Sequence, residues 1–169
     1  MKNPVFLIIP AVLAIGAIVF FVTKSGQAPT APSAQPERGR VMTVAGYSGN
    51  VLSGSSSPYL EFNRADYQKA LAEGKIIVLD FFANWCPICR AEAPHIRAGF
   101  DSLTSEKVIG FRVNFNDSDT DENEKALAQE FNIPYQHTKV ILKNGQEVKR
   151  SGDQWTGEIF AQEINSTLE

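Results

Sequence analysis

The run I-I-V-L-D-F-F at 76–82 constrains the fold more than any other stretch of the chain. It is continuously apolar apart from Asp80 and rich in branched and aromatic residues. That is the pattern of a strand buried on both faces. Such a strand needs a layer on each side, and its neighbours supply helices. Asn63 is placed to cap a helix over R-A-D-Y-Q-K-A-L-A-E, which Gly74 terminates. A second helix is predicted to open near Cys86 and run to about Leu103. Y-L-E-F (59–62) and V-I-G-F-R-V-N-F (108–115) read as further strands. Thr120 is expected to cap a helix over D-E-N-E-K-A-L-A-Q-E-F, whose first turn is acidic as the helix dipole prefers. T-K-V-I-L (138–142) and E-V-K-R (147–150) flank an Asn-Gly turn and form a hairpin. Thr156 caps a last helix to about Thr167. The order β-α-β-α-β-α-β-β-α predicts an α/β fold with a mixed central sheet flanked by helices.

The N-terminal part has a different character. Val5 to Val22 is uncharged and lies between Lys2 and Lys24. As a helix, these 18 residues span roughly 27 Å, close to the bilayer core. A signal-peptide apolar region is shorter. Residues 1–24 are therefore expected to be a transmembrane anchor, with a cleaved signal segment as the alternative. Residues 25–57 are expected to be a linker, Pro/Ala-rich at first and then punctuated by Gly and Ser. Residues 58–169 form the predicted domain. The chain holds 16 Lys and Arg and 19 Asp and Glu, and two of those cations, Lys2 and Lys24, flank the apolar run. The remainder is net acidic, which argues against a nucleic-acid partner.

The only two cysteines stand in N-W-C-P-I-C-R at 84–90. A bridge between residues three apart closes so short a loop that it removes little entropy from the unfolded chain. A structural staple is a poor reading. Cys-x-x-Cys directly after a buried strand and opening a helix suits a redox dithiol. Free amides and the dipole of the first helical turn stabilise a thiolate, and the thiolate attacks disulfides. Cys86 at the helix mouth is the expected nucleophile, and Cys89 resolves the mixed disulfide. Pro87 fits the first turn, where its missing N–H costs nothing. Trp85 supplies an apolar wall beside the sulfur.

The segment I-V-L-D-F-F-A-N-W-C-P-I-C-R-A-E-A-P resembles the active-site segment of the thioredoxin superfamily, and the resemblance covers roughly residues 59–168. It implies the thioredoxin fold and thiol–disulfide exchange, with no cofactor beyond the redox-active Cys86–Cys89 pair. The R-A-E-A-P continuation and the apolar N-terminus look most like membrane-anchored, extracytoplasmic members. The resemblance places Asp80 where the family has a buried Asp behind the second cysteine, making it the candidate general base for Cys89. It places Arg112 where thioredoxins have a Lys near that Asp. Pro94 matches a proline that kinks the active-site helix, and Gly152 approximately matches a glycine beside the substrate groove.

One position departs from the family. Thioredoxins carry a cis-proline facing the dithiol. Counting back from Gly145 by the family's spacing reaches His137 rather than Pro134. His137 and Thr138 are thus expected, with Trp85 and Pro87, to line the substrate groove. As an imidazolium His137 would lower a thiolate pKa; as a neutral ring it could act as a base. It could also complete a two-Cys, one-His metal site for copper or zinc, the alternative to an enzyme.

Other signals carry less. D-S-D-T-D-E-N-E (117–124) has Glu122 and Ala128 where a calcium loop needs Gly and Glu, so it reads as a solvated loop and helix start. His95 and Trp155 read as surface and packing residues. The sequence thus points to a single-pass protein of the inner membrane, with its domain on the periplasmic or extracellular side. It is expected to reduce protein disulfides with electrons from a transmembrane thiol carrier. Oxidation of substrate thiols is the reverse alternative, but dedicated oxidases of the superfamily carry a large helical insertion for which this chain has no room.

Overall fold

The computed structural model describes Val44 and residues 46–169. Along this stretch run β1 (Val51–Ser53), β2 (Tyr59–Glu61), α1 (Arg64–Ala72), β3 (Ile76–Phe82), α2 (Pro87–Ser102), β4 (Val108–Asn114), α3 (Glu122–Glu130), β5 (Thr138–Lys143), β6 (Gln146–Ser151) and α4 (Gly157–Leu168). The six strands form one sheet in the order β1-β2-β4-β3-β5-β6. β2, β4 and β3 run parallel, whereas β1, β5 and β6 are antiparallel to their neighbours. This is the expected mixed sheet, and β3 lies inside it.

The alternation within β3 divides the core. Ile77, Leu79 and Phe81 pack with Tyr67 and Ala70 of α1 and Leu127 and Ala128 of α3. Ile76 and Val78 pack on the other side with Ile96 and Phe100 of α2 and Phe160 and Ile164 of α4. Asp80 follows the parity of Val78, so its carboxylate points toward the α2 face. One glycine makes this layer possible. A Cβ on Gly110 would lie 2.3 Å from the Phe100 ring. Its absence lets Tyr59 and Phe100 stack with ring centroids 4.9 Å apart.

The local signals explain most helix ends. The Asn63 side chain accepts from the Asp66 N–H, and Gly74, at φ +66°, follows the end of α1. Thr156 caps α4. The start of α3 corrects the expectation. Asp121, not Thr120, is the N-cap, in a reciprocal capping box with Glu124. The Thr120 hydroxyl is already engaged by Asp117, donating to its carboxylate at 2.8 Å and accepting from its N–H at 3.0 Å.

The expected linker 25–57 ends earlier than position 57. Tyr47 is buried in the core. The Asp66 carboxylate accepts the N–H groups of Ser48 and Gly49 at 2.9 and 2.7 Å. β1 then adds to the sheet edge beside β2. The segment from Tyr47 onward is therefore part of the domain. The expected anchor at 1–24 lies outside the described residues. Among the described residues no helix is long and apolar enough to cross a membrane.

Candidate active site

The end of β3 delivers the dithiol. After Phe82 the chain turns through Ala83–Trp85, with the Cys86 N–H donating to the Ala83 carbonyl at 3.0 Å. Cys86 is the N-cap of α2, with extended backbone, and Pro87 begins the helix. The Cys89 N–H donates to the Cys86 sulfur at 3.2 Å. That amide favours negative charge on the sulfur. Both cysteines are buried free thiols. The Cys89 thiol is pushed up to about 12, first by burial and then by its hydrogen bond with Cys86. Cys89 therefore holds its proton while Cys86 sits in the anion-stabilising position. This asymmetry suits attack by Cys86 and resolution by Cys89.

The rim is apolar. Trp85 and Ile88 are 51% and 41% exposed on either side of Cys86. The β4–α3 loop, read as merely solvated, braces this rim. Asn116, at φ +50°, offers its carbonyl to the Trp85 indole N–H at 3.0 Å, and the Asp117 carboxylate accepts from the Asn84 N–H at 2.8 Å.

Asp80 lies fully buried behind the second cysteine, and its charge contributes to holding Cys89 protonated. The Tyr59 hydroxyl donates to Asp80 Oδ2 at 2.6 Å. Burial pushes Asp80 above the ordinary carboxylate range, against the Tyr59 hydrogen bond and the charges of Lys139 and Arg112. Arg112 stands near Asp80 as expected, close enough for its charge to act on that carboxylate, but its guanidinium is turned to another partner. It is paired with Asp80 in the sheet register, yet its guanidinium bonds Glu61 at 2.6 Å and lies over the Phe82 ring. The exposed end of β2 offers it a carboxylate in water, which is cheaper than burying the guanidinium beside Asp80.

The buried cation behind the dithiol is instead Lys139. Its ammonium donates to Glu92 Oε1, to the His137 carbonyl at 2.8 Å and to the Asp153 carbonyl at 2.7 Å. Lys139 and Glu92 are each 1% exposed. Burial pushes Glu92 up to about 7 even with the ammonium against it. Neither residue was singled out from sequence. A signal was present: Glu92 falls on the buried stripe of α2 with Cys89 and Ile96, and Lys139 shares the parity of Ile141, which faces that helix.

His137 does reach the dithiol. One ligand atom each from Cys86, Cys89 and His137 lie within 4.8 Å of one another. The His137 N–H donates to the Phe81 carbonyl at 2.6 Å, and its backbone is left-handed at φ +54°. Burial and the Lys139 charge lower its pKa, which favours the neutral ring over the imidazolium. Of its two expected roles, the neutral ring fits. Gly152 is close by, and a Cβ there would meet the Tyr135 hydroxyl at 2.6 Å. Thr138 is a correction. Its side chain is buried and its hydroxyl donates to the Tyr135 carbonyl at 2.9 Å, so it closes a turn rather than facing a substrate. Tyr135, 47% exposed with its ring 5.4 Å from that of His137, occupies the rim instead.

Comparison with known proteins agrees with this geometry. The Thioredoxin family profile matches residues 58–166. Thioredoxin H2 of Arabidopsis thaliana is 31% identical over 136 residues, covering 80% of this chain and 86% of that protein. Thioredoxin H-type of Fagopyrum esculentum is 40% identical over 87 residues, covering 50% of this chain and 66% of that protein. Against Thioredoxin-2 of Pyricularia oryzae the match spans 46% of the relative's length. The crystal structure of Trxlp from Edwardsiella tarda superposes with a TM-score of 0.52 at 28% identity, over 60% of this chain and 94% of that one. With a buried strand leading into Cys-x-x-Cys, an acid behind it and a profile match over most of the described residues, the chain belongs to the thioredoxin family.

Proposed function

We propose that the chain is a thiol–disulfide oxidoreductase that reduces disulfides in protein substrates. The observation that carries this reading is the asymmetry of the pair: the Cys89 N–H lies on the Cys86 sulfur while burial keeps Cys89 protonated. The Cys86 thiolate attacks one sulfur of a substrate disulfide and expels the other as a thiolate. Asp80 takes the proton from Cys89, whose thiolate then attacks the Cys86 sulfur. The substrate leaves with two reduced sulfurs, and the enzyme keeps the Cys86–Cys89 disulfide. Trp85, Ile88, Pro87 and Tyr135 form the apolar rim against which the substrate backbone is held.

The place of work follows from the sequence beyond the domain. The uncharged run Val5–Val22 between Lys2 and Lys24 supports a single-pass anchor or signal, with the domain outside the cytoplasm. In that compartment the dithiol draws its electrons from a transmembrane thiol carrier. The test has two parts. A Cys89→Ser variant, expressed with its N-terminus intact, traps substrate proteins as mixed disulfides on Cys86, and Cys86→Ser traps none. Protease added to intact spheroplasts digests the domain. Failure to trap any substrate defeats the reductase reading; full protection from protease defeats the location. A strongly oxidising Cys86–Cys89 potential would reverse the direction to thiol oxidation.

A further inference from the structure

We propose that the reduced dithiol and His137 form a Cys2His site for a thiophilic d10 cation, Zn(II) or Cu(I). Three observations converge on it. The first is the donor set. Two sulfurs and an imidazole nitrogen are the ligands these cations prefer. They already lie within 4.8 Å of one another, from two separate segments. Metal–sulfur bonds of about 2.3 Å at tetrahedral angles place two sulfurs about 3.8 Å apart. Closing the triangle to that size takes a shift on the order of an ångström, within reach of side-chain rotation.

The second is the state of the imidazole. His137 Nδ1 is buried and has no hydrogen-bond partner. The Gly152 backbone interacts with the same ring. A buried ring nitrogen with its lone pair unspent is what a cation can bind. A buried nitrogen without a partner is unfavourable, and a metal bond would satisfy it.

The third is that the histidine is held in place from both sides. Its N–H donates to Phe81, and its carbonyl accepts the Lys139 ammonium. Its left-handed backbone is fixed by these two bonds rather than by its own preference. Little ordering remains to be done when a cation arrives.

The surroundings define what completes the shell. Of the nearby carboxylates, Asp80 Oδ2 accepts from Tyr59 and Glu92 Oε1 from Lys139, while Glu92 Oε2 is buried without a partner. His95 is exposed on α2. Among the described residues the group of ligand atoms close enough to share one cation is Cys86, Cys89 and His137. Zn(II) fills its fourth position with water at the open rim, and two thiolates with Zn(II) make a neutral set. Cu(I) accepts the three ligands alone and leaves one negative charge. On binding, each cysteine that is still a thiol releases one proton. When the thiolates pass two electrons to a disulfide, forming the Cys86–Cys89 bond and two substrate thiolates, the sulfur ligands are consumed and the cation departs.

The experiment titrates the reduced full chain anaerobically with Zn(II) against a chromophoric chelator, and separately with Cu(I) against bicinchoninate. One cation per chain is expected, with no binding to the disulfide form. His137→Ala is expected to weaken binding at least 10-fold, and His137→Asn covers the case in which the Ala variant fails to fold. Which cation survives competition by the other distinguishes the two. Substitution with Co(II) adds a spectroscopic reading: its thiolate charge-transfer band is retained and its ligand-field bands change in the His137 variant. Sub-stoichiometric binding, or affinity unchanged on loss of His137, overturns the site. Substrate trapping by Cys89→Ser in metal-free buffer reports on the reductase reading separately, so either proposal can fail alone.

Discussion

Lys139 and Glu92 form an ion pair sealed between β5 and α2, directly beneath the segment that presents His137 to the dithiol. The same ammonium holds the Asp153 carbonyl and lies 5.4 Å from the centre of the Trp155 ring. One cation thus joins the active-site helix, the residue facing the sulfurs and the loop before α4.

Removing that cation leaves a buried carboxylate and two carbonyls without their donor. Lys139→Met is expected to lower unfolding stability by about 3–5 kcal/mol at pH 8, measured by urea denaturation. Replacing both members, Lys139→Met with Glu92→Leu, should cost clearly less than the two single changes summed. Strict additivity would show that the pair contributes nothing.

Glu92 also gives the fold a pH dependence. Its pKa is raised to about 7 from an ordinary 4.5, so the folded state binds the proton more tightly than the unfolded one. Its stabilising contribution is complete below pH 4.5 and is lost as pH rises through about 7. The wild-type protein should therefore lose stability across that window relative to Glu92→Gln, by up to about 3 kcal/mol. Parallel stability curves for the two proteins would contradict this.

The two thiols should differ in reactivity. With Cys89 pushed up to about 12, a very small fraction is thiolate at pH 8. Brief iodoacetamide treatment of the reduced native protein should label Cys86 alone, as read by peptide mass spectrometry. Unfolding in denaturant should make both react. Equal labelling of the native pair would remove the assigned order of attack.

Tyr59→Phe removes the hydroxyl that donates to Asp80. A buried carboxylate loses its partner, and the expected cost is about 1–3 kcal/mol. Without that donor the Asp80 pKa rises further, so the acid limb of the resolution step should move to higher pH. The rate of substrate release from the Cys86 mixed disulfide, followed against pH, measures it. An unmoved profile would remove Asp80 from the step.

The parts of this molecule legible in its sequence are those set by local pattern. β3, the cap at Asn63 and the helix opened by Cys86 depend on apolar runs and on residues a few positions apart. The hidden parts depend on partners far along the chain. The backbone at Ser48–Gly49 reads as linker because its acceptor, Asp66, lies on α1, and Tyr47 does because the Glu73 carboxylate that accepts its hydroxyl lies at the end of that helix. Arg112 matched a position near Asp80, but a competing carboxylate, Glu61, becomes its neighbour only when β2 joins β4. Lys139 and Glu92 were not singled out because their pairing spans 47 positions of the chain, although each falls on the buried face of its own element. His137 was legible through the spacing of the hairpin that follows it, although its left-handed backbone was not.

The strand β6 ends the sheet, and among the described residues its outer edge has no neighbouring strand. A six-residue edge of that kind is a template on which another chain can add a strand. Here the edge reads Gln-Glu-Val-Lys-Arg-Ser, exposed along most of its length. An incoming strand would have to strip water from Glu147, Lys149 and Arg150 to pair with the backbone between them. Those charges therefore oppose the addition of a further strand at this edge.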